Sequence, residues 1–494
     1  MRNLIERYPL KSRRFLEILI PAISWLLITM PLWLSFWHPA IVAYFVIGFD
    51  VYWFYKAATL AYYGIRSYLT MLAHMKVDWL ERVKTLPESK NLHHVIIIPE
   101  YRESIALLRA TIANLTNQDF PKNQISICIA TESRDSRAVD TFEALKREFA
   151  HNFAHFWYTS HPTAEGEVIG KSSNMAFAGR WIVGEIARLG IPLENVTVTS
   201  CDADVMLHPK YFSYLSFVFL TDPDRYYHFY QTGIMFYNNI WRIPLPGRIL
   251  NTIGSIFNLS LLSQETRLVN FSTYSLSLAT VEKVGYWGVH VIPEDYHLFF
   301  KTYFRLGARV RVKPIFLPTL ADAAESRGFW ATLVNQYEQH KRWAWGISDV
   351  PEVIKNYFLH PEIPFVDRTM RVLHLLEQHI LWPTNWFILT IGSTLPPLVN
   401  PYFARTVLGH NLAQISSAIL TFSAVFLLVI IILDVKAKPQ RPKNFSRWKV
   451  PFLYLQWLAL PVVSFFLSAL PGLDAHTRLM LGKRLEYRVT EKIR

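Results

Sequence analysis

Two aspartates separated by a single alanine, Asp202-Ala203-Asp204, offer paired carboxylates of the kind that hold a divalent cation. A departing diphosphate needs its charge offset, and Mg2+ or Mn2+ seated on such a pair does this as a Lewis acid. Downstream, Glu294-Asp295 supplies a carboxylate able to take the proton of an attacking hydroxyl. Further on, Gln339, Arg342 and Trp343 stand at i, i+3 and i+4, one face of a helix. Arg342 can grip a phosphate through two parallel hydrogen bonds, and the Trp343 indole offers a stacking surface for a sugar ring. Each motif alone has an ordinary explanation: a solvated turn, an acidic pair at a helix N-terminus, or an aromatic-basic helix anchored to lipid. In this order, along one polar stretch held between apolar segments, they point to glycosyl transfer from a nucleotide sugar at a membrane surface.

The elements that must position these residues are legible in the hydrophobic pattern. His94–Pro99, Ile125–Ala130, Phe156–Tyr158 and Val196–Thr199 read as strands, and the last runs straight into the Asp triplet. Between them, Ile105–Thr116, Ser136–Ala150 and Ser172–Leu189 read as helices. Continuous apolar strands alternating with helices predict a mainly parallel α/β sheet. Ligands of such sheets bind at the carboxyl ends of the strands, where Asp202 and Asp204 fall. Cys128 and Cys201 lie in apolar strand-like runs and read as buried free thiols, with no disulfide framework or zinc site.

The composition is that of a membrane protein. Of 494 residues, 51% are hydrophobic and only 18% charged. The net charge of +13 clusters beside apolar runs, where it anchors to anionic lipid rather than to nucleic acid. Apolar runs near 15–37 and 39–62 predict a transmembrane hairpin at residues 1–63, its basic N-terminus cytoplasmic. Residues 64–91 read as an interfacial helix and linker, 92–350 as the catalytic domain, and 351–376 as interfacial helices. Residues 377–473 carry the C-terminal membrane segments, near 377–399 and 411–434, and 474–494 form a basic cytoplasmic tail. Pro461 interrupts the segment 451–473, and a re-entrant or interfacial path is favoured there over a full span. None of these patterns encodes an oligomeric state.

The chain resembles the membrane-integrated inverting glycosyltransferases of family 2, the group of cellulose, chitin and hyaluronan synthases. Pro99-Glu100-Tyr101-Arg102-Glu103 resembles the family's first-strand motif, and Gly170-Lys171-Ser172-Ser173-Asn174 its diphosphate stretch. Asp202 and Asp204 match its Asp-x-Asp, Glu294-Asp295 its Thr-Glu-Asp, and Gln339, Arg342 and Trp343 its Gln-x-x-Arg-Trp. The tail Tyr487-Arg488-Val489-Thr490-Glu491-Lys492 is similar to the gating loop that closes over bound nucleotide. The resemblance implies a GT-A-type, Rossmann-like cytoplasmic domain on an α-helical transmembrane bundle in the inner membrane. It implies a nucleotide-sugar donor, a UDP-sugar, and a glycan or lipid acceptor. Asp295 would be the base; Asp202 and Asp204 would hold Mg2+ or Mn2+. Glu132, Lys171, Asp202, Gln339, Arg342 and Trp343 would contact the donor, and Glu294 and Trp343 the acceptor side. Tyr487, Val489, Thr490 and Lys492 would form the gating loop. The sequence departs from the pattern at Pro293, where the family has Thr, and at His340, where it has a basic residue. Phe271–Ser275 stands near the place of a cellulose-synthase segment without matching it. A transporter with a large cytoplasmic domain would place ionisable residues inside the spans, and few are found there, Asp50 and Lys56 being the clearest. A catalytically dead scaffold would have lost a carboxylate from the metal or base motif, and none is lost.

Overall fold

The computed structural model describes every residue except Met1, Asn444, Arg447, Lys449, 487–489 and 493–494. Its centre is a seven-stranded sheet in the order β3-β2-β1-β4-β6-β5-β7. The strands are β1 (His93–Pro99), β2 (Ile125–Glu132), β3 (His155–His161), β4 (Val196–Ser200), β5 (His228–Met235), β6 (Tyr274–Ser277) and β7 (Arg311–Leu320). Strands β3, β2, β1 and β4 are parallel; β6 runs antiparallel to both neighbours, and β5 pairs parallel with β7. The four strands read from the sequence are present. Strand β1 is apolar on both faces because both are covered, and Val95, Ile96, Ile97 and Ile98 are all fully buried. His94, at its start, is buried neutral: its two ring nitrogens meet Thr197 at 2.6 Å and Ser216 at 2.8 Å. Cys128 and Cys201 are buried free thiols, as expected.

The helices that bear on the site are α1 (Pro9–Trp33), α2 (Pro39–Lys76), α3 (Lys171–Arg188), α4 (Leu245–Leu261), α5 (Glu294–Leu306), α6 (Phe329–Ala344), α7 (Phe365–Ile391), α8 (Val407–Ala437) and α9 (Leu470–Met480). Among the described residues four helical stretches are long and apolar enough to cross a membrane: Pro9–Phe36, Pro39–Lys76, Val407–Ala437 and Val450–Met480. Two expected boundaries are not breaks. Helix α2 continues from the hairpin through residue 64 to Lys76, because Gly64 packs against Leu433 instead of ending the helix. Helix α7 likewise runs unbroken across 376–377.

Side-chain contacts fix how the bundle meets the sheet. At one end, Asn400 donates to the carbonyls of Ser35 and Phe36 at 3.4 Å, joining the α1–α2 corner to the α7–α8 corner. At the other end Lys210 donates to the carbonyls of Met75 and Val77, Tyr303 to Asp367 at 2.6 Å, and Tyr237 to Asp434 at 2.9 Å. Helices α2, α7 and α8 therefore each reach the sheet domain by one end.

The stretch Val450–Met480 behaves differently. It tightens into a 3-10 turn at Gln456–Ala459, just before Pro461, and passes through a π-helical turn at Phe465–Ala469. Gln456, near its start, accepts from Arg248 of α4 at 2.9 Å. Asp474 faces Lys341 of α6 at 3.4 Å, and the carbonyl of Leu479 accepts from Arg14, early in α1, at 2.9 Å. Both its ends thus lie on the side of the bundle that carries the sheet.

Candidate active site

The ends of β1, β2, β4, β5 and β7 and the starts of α3 and α5 converge on one cavity of about 910 Å³. Glu132, Lys171, Asp202, Asp204, Glu294, Asp295, Gln339, Arg342, Trp343, Thr490 and Lys492 all line it. Tyr487 and Val489 lie outside the described residues.

Strand β4 ends at Ser200, and the chain turns through Cys201 so that Asp202 and Asp204 face the cavity. Met206 then pairs with Leu320 at the end of β7. That pairing sets the Asp322 amide 2.9 Å from Asp204 Oδ2. Asp202 receives the Lys171 ammonium at 2.8 Å on Oδ1 and the Ser272 hydroxyl at 2.6 Å on Oδ2. Burial pushes the Asp202 carboxyl up, but Lys171 and then Lys492 outweigh it and hold the group below its ordinary range. Asp204 is ion-paired to Lys492 of the tail; burial nevertheless leaves it raised.

Lys171 opens α3 and is shared between two carboxylates, at 2.8 Å from Asp202 and 2.6 Å from Glu294. One buried ammonium cannot fully compensate two anions. Glu294, buried and beside Asp295, is the one that yields: burial pushes it up to about 7. The residue expected on the acceptor side therefore sits against the Lys171 ammonium, because α5 begins directly beside the start of α3.

Asp295 is held at both oxygens. Its Oδ2 accepts from the Ser272 amide at 3.0 Å and its Oδ1 from the Tyr296 amide at 2.8 Å. Asn270 donates to the Asp295 carbonyl at 2.7 Å. Ser272 is thus the bridge between the two acidic motifs, its hydroxyl on Asp202 and its amide on Asp295. Its carbonyl accepts from Lys171 at 3.1 Å. It adopts φ +54°, a left-handed conformation costly for a residue with a Cβ. Gln231 of β5 holds this turn in place, accepting from the Phe271 amide at 2.9 Å and donating to the Thr273 carbonyl at 3.2 Å.

Helix α6 presents Gln339, Arg342 and Trp343 to the same cavity. Arg342 donates to Thr490 of the tail at 2.9 Å. Trp343 lies 5.6 Å from the Phe236 ring and is 36% exposed, leaving indole surface for a ligand. His340 is buried and accordingly pushed down to about 4, and it pairs with the Gln336 carbonyl at 2.9 Å. A neutral ring occupies the expected basic position. At the far end, Glu132 closes β2 and pairs with Arg134 at 2.5 Å; the Arg134 guanidinium sits 3.9 Å over the Tyr101 ring.

Sequence reasoning left several site residues without a role. Asn270 and Gln231 had no motif to announce them, and Ser272 lay in the unmatched Phe271–Ser275 stretch without a role, since their part depends on β6 returning beside β4. Glu103 lay within the quoted Pro99–Glu103 stretch but was assigned nothing. It lines the cavity, and burial raises it to about 7 in spite of Lys492. Three buried acceptor atoms on cavity-lining residues, Asn174 Oδ1, Asn270 Oδ1 and Gln339 Oε1, have no hydrogen-bond partner. Buried orphans of this kind call for a donor from elsewhere.

Residues 197–434 match the family model described as Glycosyl transferase family group 2. That stretch, from β4 into α8, contains both acidic motifs and the Gln339–Trp343 face. No match is found among curated proteins. Among solved structures, the mannosyltransferase PcManGT from Pyrobaculum calidifontis, in complex with GDP-Man and Mn2+, is similar at 14% identity. The similarity covers 77% of this chain and 100% of that one, with a TM-score of 0.45. TarS 1-349 of S. aureus in complex with UDP-GlcNAc is similar at 11% identity, over 71% of this chain and 93% of that one, with a TM-score of 0.35.

Proposed function

We propose that this chain is a membrane-integrated inverting glycosyltransferase that moves a sugar from a UDP-sugar to a hydroxyl of a glycan or lipid acceptor. The observation that carries this reading is the one-residue bridge between Asp202 and Asp295. Ser272 holds the metal-type carboxylate and the base-type carboxylate together, within the reach of one donor and one acceptor.

Asp202 and Asp204 would hold Mg2+ or Mn2+. Their hard oxygen donors suit such an ion, and the two ammonium groups now against them show that the site favours positive charge. Among the described residues no third acidic, histidine or cysteine side chain completes a metal cluster, so diphosphate oxygens would fill the remaining positions. When bound, the cation offsets the charge that builds on the departing nucleoside diphosphate.

The protein's own groups do the rest. Lys171 and Arg342 neutralise further diphosphate charge. Tyr101 and Glu132 face the nucleobase end, and Trp343 stacks on the sugar. Asp295 takes the acceptor hydroxyl proton as that oxygen bonds to the anomeric carbon and the bond to the phosphate oxygen breaks. In-line attack on an α-linked donor gives a β-glycoside. Thr490 and Lys492 cover the site from the tail. Helices α1, α2 and α8 cross the inner membrane; α7, less apolar than these, crosses with them because it runs from Asp367 on the sheet side to the far corner at Asn400, and Val450–Met480 lies along the interface. The sheet side is cytoplasmic, in keeping with Arg2, Arg7, Lys11, Arg13 and Arg14 at the start of the chain.

The test is UDP release by purified protein in detergent across a panel of UDP-sugars with Mn2+. One donor should give UDP, and Asp295→Asn should slow its release by at least about a hundredfold. Undiminished release from that variant removes Asp295 from its role, and a C-terminal tag reachable only from outside the cell overturns the topology.

A further inference from the structure

The cavity does not end at Asp295. It continues between α2, α4, α7 and α8 into the helix bundle. We propose that this arm is the acceptor site, and that it takes a lipid whose anionic headgroup is anchored by Lys56 and Arg267. The proposal rests on the glycosyltransferase reading of the same cavity.

One wall of the arm is aliphatic, formed by Leu60, Ile253, Leu427 and Ile430. The other carries a charge cluster. Glu377 of α7 accepts from Lys56 at 2.9 Å, from Arg267 at 2.6 Å, and from the Tyr52 hydroxyl. Lys56, Arg267 and Glu377 all line the cavity. Two cations share one carboxylate, so this wall holds a surplus positive charge beside apolar helices, and a headgroup anion would balance it. On the side of the cavity beside Gly472, Trp382 also contributes to the lining, and its buried Nε1 has no hydrogen-bond partner. An indole N–H can only donate, so it calls for an acceptor oxygen.

The arm also reaches the chemistry. Arg267 stands three residues before Asn270, which donates to the Asp295 carbonyl. Three residues span at most about 11 Å. Arg267 and Asp295 thus line one continuous cavity, and a headgroup whose phosphate rests on Arg267 would present its hydroxyl toward Asp295 while its acyl chains follow the aliphatic wall outward. A neutral glycan strand would leave the surplus cation unanswered and gain little from that wall.

The test is native mass spectrometry of the full-length protein released from nanodiscs of equal phosphatidylglycerol and phosphatidylcholine. Wild type should retain phosphatidylglycerol in preference to phosphatidylcholine. Lys56→Gln with Arg267→Gln should cut that retention about tenfold, whereas Lys56→Arg with Arg267→Lys should keep it. Because the double glutamine variant strands Glu377, adding Glu377→Gln gives a triple variant that removes the stranded charge; it should show the same loss. Equal retention of both lipids, or a triple variant that still holds phosphatidylglycerol, overturns the proposal. So does extension of a soluble oligosaccharide in lipid-free detergent at the rate seen with lipid. Retention needs no turnover: a protein that holds phosphatidylglycerol yet releases no UDP supports the lipid site while refuting the transferase reading.

Discussion

Lys171 is the residue on which the electrostatics of the site turn. Its ammonium is 2.8 Å from Asp202 and 2.6 Å from Glu294, with Ser272 as a third partner. At an effective dielectric of about 20, each ion pair is a gross attraction of about 6 kcal/mol. Desolvation of the buried charges takes back most of this, and removing one member of such a pair costs about 3–5 kcal/mol. Lys171→Met should therefore lower the thermal midpoint in detergent by several degrees. Much of that loss comes from two stranded carboxylates rather than from missing contacts. In a Glu294→Gln background one of the two is gone, so the same substitution should cost less. The double-mutant cycle should give a coupling of about 1–3 kcal/mol. The assay is the shift in unfolding free energy of four proteins in one mixed-micelle titration. Costs that add to within about 0.5 kcal/mol would refute the shared-ammonium account.

Three further outcomes are expected. Asp295→Asn should lower turnover by about 10²–10⁴-fold, the range for loss of a positioned base, with Mn2+–UDP affinity unchanged by calorimetry. Glu294 is raised to about 7 against an ordinary 4.5. Between those values the folded protein binds more protons than the unfolded chain, so stability present below pH 4.5 is lost as pH rises through 7; Glu294→Gln should make the fall in thermal midpoint across this window shallower. Lys492→Ala frees Asp204 and removes the charge opposite Glu103. Mn2+ should then bind the nucleotide-free protein about tenfold more tightly by calorimetry, and an unchanged affinity would show that the tail does not compete with the cation.

The parts of this molecule governed by local pattern were readable from the chain. Strands β1 to β4 announce themselves as apolar runs, and Asp202 and Asp204 follow β4 because the triplet abuts it. Gln339, Arg342 and Trp343 share a face by helical arithmetic alone. What escaped depends on tertiary neighbours. Ser272 matters because β6 returns antiparallel to β4, and neither its left-handed backbone nor its bond to Asp295 leaves a mark in the sequence around it. The contact of Glu294 with Lys171 was equally hidden, because it depends on two helix starts meeting in space. Helix α2 outruns its apolar stretch because it continues past residue 62 as an amphipathic helix, in which Gly64 makes room for Leu433.

The contacts of Asp474 with Lys341, and of Arg14 with the carbonyls at the end of α9, have a practical corollary. The helix that carries Arg342 hangs from the first helix of the bundle by way of the irregular helical strap Val450–Met480. A soluble fragment trimmed to 92–350 would lose that suspension, the tail that caps Asp204, and the floor of the cavity at once. The candidate site thus belongs to the whole assembly, and a disturbance at the strap would be felt at Arg342.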